Sequence, residues 1–69
     1  MAHDEQGWTN LYPGKWERRL PDGTRLIAVR TRMGGWMVSH GKVCVSARSQ
    51  KLAEAKRRGN LYIDEQAKQ

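Results

Sequence analysis

A chain of 69 residues with net charge +6, 38% hydrophobic residues and no Phe has room for one domain with a small core; at this size folding buries only about 60% of the surface that the unfolded chain exposes. Cys44 is the sole cysteine, which excludes an intramolecular disulfide and fits a reducing compartment better than a secreted one. No apolar run reaches the roughly 20 residues of a membrane span, and the polar start with Asp4 and Glu5 lacks the pattern of a secretory signal, so a soluble, cytoplasmic protein is expected.

Residues 1–7 read as a flexible leader, 8–63 as a single sheet-plus-helix domain and 64–69 as a frayed tail. From Trp8 to Gly14 aromatics mix with turn formers, which predicts an ordered arm closing over the core and ending in a Pro13-Gly14 turn. The pattern from Lys15 is strand-like, with Trp16, Arg18 and Leu20 on one side. Pro21-Asp22-Gly23 is a turn in which Pro presets one φ angle and Gly supplies a positive one. Residues 24–32 are rich in β-branched side chains and form the expected central strand, with Ile27, Val29 and Thr31 on one face and Leu26, Ala28, Arg30 and Arg32 on the other. Met33-Gly34-Gly35 interrupts it. Alternation resumes over 36–40, Gly41-Lys42 is a hairpin signal, and 43–47 completes another strand.

Ser49 is the expected N-cap of a helix of about ten residues, ending near Arg58 at a Gly59-Asn60 stop. So short a helix is unstable alone in water and must dock on the sheet, with Leu52 and Ala55 as its contact stripe and Glu54 pairing Arg58 at i, i+4. Residues 61–63 then form either a short edge strand or a plug. The predicted architecture is α+β: an antiparallel meander of three to four strands carrying one C-terminal helix on a single face. The other face stays uncovered, and function is expected there.

Charge is the leading functional signal. Twelve of the thirteen Lys and Arg residues lie within 15–58, against three acids there, Glu17, Asp22 and Glu54. That is the footprint of a protein that meets a polyanion. Arg30 and Arg32 are expected on one side of a strand, about 6.6 Å apart, with Arg18 or Arg19 joining from the neighbouring strand, and the planar guanidinium fork suits phosphate. A charged strand face also guards a sheet against edge-to-edge aggregation, an equally good account of the same row. Lys56, Arg57 and Arg58 complement the helix dipole, whereas Lys51 in the first turn does not and so points outward to an anion. Lys42 on its turn completes the candidate nucleic-acid contacts: Arg18, Arg19, Arg30, Arg32, Lys42 and Lys51.

In so small a domain Trp16 and Trp36 read first as core. Trp36, between Gly35 and Met37, is also a candidate stacking platform, and Trp8, nearest the end of the chain, is the candidate for an exposed aromatic contact. His40 and Cys44 flank the Gly41-Lys42 turn and are expected to approach one another. No third group stands near them in sequence, so neither catalysis nor a metal or cofactor site is expected.

The segments GKWERRLPDGTRLIAVRTR, GGWMVSHGKVCVS and KLAEAKRRG resemble small uncharacterised proteins of actinobacterial phages and prophages. Their order also resembles the three-stranded-sheet DNA-binding domains of integrase arms and ethylene-response factors. That likeness implies groove contacts by Arg18, Arg30, Arg32 and Trp36, with the helix packed behind the sheet; the chain departs from it where GGWMVSHGKVCVS folds as a hairpin of its own. The expectation is a non-enzymatic module of phage origin that binds nucleic acid, duplex DNA foremost, in the host cytoplasm. The alternative is an inhibitor of an acidic host protein, acting through Trp8, Tyr12, Tyr62 and a sheet edge. Homodimerisation fits either.

Overall fold

Strict alternation along the strands divides the side chains into a face that a helix covers and a face that it leaves open. The computed structural model describes residues 7–45 and 48–67. It has five strands, β1 (Trp8–Tyr12), β2 (Lys15–Arg19), β3 (Arg25–Arg30), β4 (Trp36–His40) and β5 (Val43–Cys44), followed by one helix, α1 (Leu52–Ala67). The strands pair antiparallel in chain order. The α+β meander with one C-terminal helix is therefore the architecture. It has one strand more than the three to four expected, because the arm ahead of Pro13 pairs with β2 as a full edge strand. The side-chain amide of Asn10 closes that hairpin, donating to the carbonyls of Tyr12 (3.0 Å) and Lys15 (3.2 Å).

The register sets Trp8, Arg18, Leu26 and His40 in one row and Asn10, Trp16, Ala28 and Val38 in the next. This is the face under α1. Trp8, Leu26, Ala28, Val38 and Ala55 are fully buried, with Trp16, Trp36, Leu52, Tyr62 and Ile63 packed around them. Trp8 is thus not an exposed contact. A Trp ring buries roughly 150–250 Å², worth about 4–6 kcal/mol at ~25 cal/mol per Å², and a core without Phe claims it.

Four expectations about the chain after β4 are corrected. Ser49 does not cap the helix: its backbone pairs with Trp36, donating N–H to the Trp36 carbonyl (2.8 Å) and accepting the Trp36 N–H (2.6 Å), and its buried hydroxyl has no partner among the described residues. The Lys51 carbonyl instead accepts the first helical bond, from Ala55 (3.1 Å). Gly59-Asn60 does not stop the helix, which runs 16 residues, so 61–63 are helical and only 68 and 69 of the expected tail lie outside the described residues. Of the expected strand over 43–47, Val43–Cys44 is strand and 46 and 47 lie outside the described residues.

The glycine persists inside the helix because it is where the helix touches the sheet. A Cβ there would stand 3.2 Å from Val38 Cγ1, 3.3 Å from Trp8 Cζ2 and 3.4 Å from Leu26 Cδ1. Close approach outweighs the roughly 1 kcal/mol that an interior glycine costs a helix. The contact stripe then reads Leu52, Ala55, Gly59, Tyr62 and Ile63, continuous at helical spacing.

Gly59→Leu is expected to destabilise the protein by about 1–3 kcal/mol through overpacking, read from urea unfolding followed by far-UV circular dichroism. A variant as stable as the parent would show that Gly59 is not the point of contact.

Candidate polyanion interface

The two ends of the sheet differ in charge. At one end lie the β2–β3 and β4–β5 turns, where the cations Arg19, Arg25 and Lys42 are mixed with the acid Asp22. At the other lie the β1–β2 and β3–β4 turns and the start of α1, where Lys15, Arg30, Arg32, Arg48 and Lys51 gather. Glu54, in the first turn of α1, is already held by Arg58 at 2.9 Å. Among the described residues, none of those five cations has a carboxylate within ion-pair distance. Arg30, Arg32, Arg48 and Lys51 are also exposed.

The β3–β4 turn gives this end its shape. Thr31 N–H donates to the Gly35 carbonyl (3.0 Å), Gly34 N–H donates to the Thr31 carbonyl (3.1 Å), and the Thr31 hydroxyl donates to the Gly34 carbonyl. Arg32 and Met33 therefore occupy the two corner positions. Gly34 follows at φ +84°, the left-handed residue that lets a tight hairpin close. Gly35 also lies against the chain entering α1: a Cβ would stand 2.8 Å from both Arg48 Cγ and the Ser49 carbonyl oxygen. Met33, Gly34, Gly35, Arg48 and Gln50 line one shallow depression of about 250 Å³, smaller than the ~300 Å³ at which small-molecule pockets begin.

The candidate contacts are redistributed accordingly. Arg30, Arg32 and Lys51 share the cationic end, although Arg32 sits in the turn and not in a strand row with Arg30. Arg18 faces α1, where its guanidinium and the Trp8 indole N–H (3.1 Å) both donate to the Asn60 side-chain carbonyl. Arg19 and Arg25 flank Glu17 on the open face, at 3.0 and 3.1 Å. Lys42 lies at the opposite end of the sheet. Trp36 is half-buried against the core, and Lys56 stacks over the Trp16 ring at 3.5 Å. Arg48 was not legible at this end of the sheet, because its placement depends on the pairing of Ser49 with Trp36.

His40 and Cys44 do not meet. The register sets Val43 opposite His40 and Cys44 opposite Ser39, so the two point to different faces. His40 instead links the β2–β3 turn to α1, with Nε2 2.7 Å from Thr24 Oγ1 and Nδ1 3.2 Å from the Tyr62 hydroxyl. Thr24 has one hydroxyl proton and donates it to Asp22 at 2.6 Å, so Nε2–H donates to Thr24. Among the described residues no three of His, Cys, Asp and Glu converge as metal ligands, and no helix is long and apolar enough to cross a membrane.

The open face carries Glu17, whose side chain is only 7% exposed beneath two exposed guanidinium groups. Around it run Leu11 (42%), Val29 (42%) and Met37 (40%), each partly exposed. Hydrogen bonding from Arg19, opposed by burial and assisted by the charges of Arg25 and Arg19, holds the Glu17 carboxyl below its ordinary value of 4.5. Hydrogen bonds from Thr24 do the same for Asp22. Comparison with protein-family models, curated proteins and solved structures finds no match.

Two outcomes are expected. A depressed folded-state carboxyl contributes stability that is present above its unfolded value and lost as pH falls through the folded one. Unfolding free energy should therefore drop as pH falls below 4.5, and Glu17→Gln should flatten that drop in urea titrations from pH 7 to 3; an unchanged profile would assign it elsewhere. Arg18→Ala should cost about 1–2 kcal/mol of stability without weakening any nucleic-acid binding, measured by unfolding and by fluorescence anisotropy.

Proposed function

We propose that the protein is a non-enzymatic nucleic-acid-binding module that meets the phosphate backbone of duplex DNA with the end of its sheet. The observation that carries this reading is the set of exposed cations at that end, Arg30, Arg32, Arg48 and Lys51, that have no carboxylate partner among the described residues. The surface differs from that of the sheet-face readers which the sequence resembles, since Arg18 is committed to α1 and Arg30 lies on the α1 side of β3. Arginines on a tied turn and a lysine ahead of a helix suit phosphates along a backbone better than base edges in a groove.

A second reading rests on the open face. The partly exposed strip of Leu11, Val29 and Met37, bordered by Lys15, Arg19 and Arg25, fits a protein partner with an acidic rim. Trp8 has no part in it, being buried, and Tyr62 is engaged with His40; Tyr12 remains exposed. A stoichiometric partner captured from nuclease-treated lysate by the parent, and lost with Val29→Glu, would favour this second reading.

Four phosphate contacts predict a slope of about −3.6 for log affinity against log salt. Replacing both Arg32 and Arg48 by Ala should shallow that slope by about 2 and weaken binding at least about tenfold. Lys42→Ala, at the far end, should change neither. Equal effects of the near and far substitutions would remove the assignment of the surface.

A further inference from the structure

Met33 is the most exposed large apolar side chain of the described residues, at 85%, and it stands on a turn tied by both backbone and side-chain hydrogen bonds. Three hydrogen bonds between Thr31 and the Gly34-Gly35 pair hold that turn. Arg48 and Ser49 lie against its base with no space for a Cβ at Gly35. A thioether held out in water by a rigid corner, next to Arg32 and near Arg30 and Arg48, has no packing role. We infer that the β3–β4 corner is a wedge: the arginines hold the phosphates of a DNA duplex while Met33 enters the minor groove and partly unstacks one base step, bending the duplex.

The inference deepens the nucleic-acid reading and rests on it. Paired strands are about 4.8 Å apart before side chains are counted, and a minor groove is about 6 Å wide. A two-stranded ribbon therefore cannot lie in that groove, but a single unbranched side chain on its corner can enter it. Insertion of an apolar side chain between base steps, with flanking cations on the backbone, is a general way of kinking DNA, and the flexible thioether of Met adapts to an irregular gap. A corner that pushes on a stack must not yield, which the hydrogen bonds of Thr31 and the contact of Gly35 with Arg48 provide. A lipid surface or a protein groove fits less well, because one isolated apolar side chain gives too little area to anchor either.

The test uses the full chain and a duplex of about 25 base pairs, the length over which protein-induced bends are made, carrying donor and acceptor dyes at its ends. Binding is followed by anisotropy and bending by energy transfer in the same samples. The parent is expected to bind and to shorten the end-to-end distance. Met33→Ala, an exposed position where folding should be untouched, is expected to bind within about threefold of the parent and to lose most of the change in transfer, because phosphate contacts carry the affinity. Binding without any change in transfer, or equal bending by Met33→Ala, would overturn the wedge and leave the nucleic-acid reading standing. Absence of duplex binding at low salt, or binding to anionic vesicles in its place, would overturn both.

Discussion

One close approach organises this protein: the backbone of α1 at Gly59 rests on Trp8, Leu26 and Val38. A domain of this size cannot cover both faces of a five-stranded sheet, and one helix must do all the covering. Gly59 lets its axis sink toward the strands. Asn60 then stands near enough for one carbonyl oxygen to serve both the Trp8 indole and the Arg18 guanidinium. Two polar groups are thereby satisfied beneath the helix, where an unpaired one would cost about 1–3 kcal/mol. At its far end the helix is held again through Tyr62, His40 and Thr24.

Committing the helix to one face determines what is left to function. Arg18 is committed to the helix contact and the single carboxylate of Glu17 pairs both Arg19 and Arg25, so among the described residues most of the cations without a carboxylate partner lie around the β3–β4 turn and the helix start, with Lys42 at the other end and Arg57 along α1 as the exceptions. The charge of this chain is therefore a local property. Its sign could be read from composition, but its direction depends on which face α1 occupies.

The strands were legible because β-branched alternation and turn residues agree along 15–44: the Pro21-Asp22-Gly23 and Gly41-Lys42 turns stand where Pro, Gly and hairpin chemistry place them. The stripe of Leu52 and Ala55 was legible for the same reason. Gly59-Asn60 misled because a helix stop and a close-packing glycine have the same spelling. The periodicity that continues through Tyr62 and Ile63 distinguishes the two. Ser49 misled because cap chemistry is local, while the backbone of Trp36, thirteen positions away along the chain, competes for it. The functional row failed in part through an assumption about length: Arg32 lies past the end of β3, in the turn.

The strand order follows the chain order without a crossover, which bears on how the molecule assembles. Each strand can pair with its predecessor across a short loop, at little cost in closure entropy. Two side-chain hydrogen bonds of long separation, Trp8 with Asn60 and Arg18 with Asn60, span 52 and 42 positions. An isolated helix of this length is marginal in water, so the sheet supplies the surface on which the helix becomes stable. The meander is thus a template completed by its own C-terminal segment, and the residue that closes the two ends of the domain is a single asparagine.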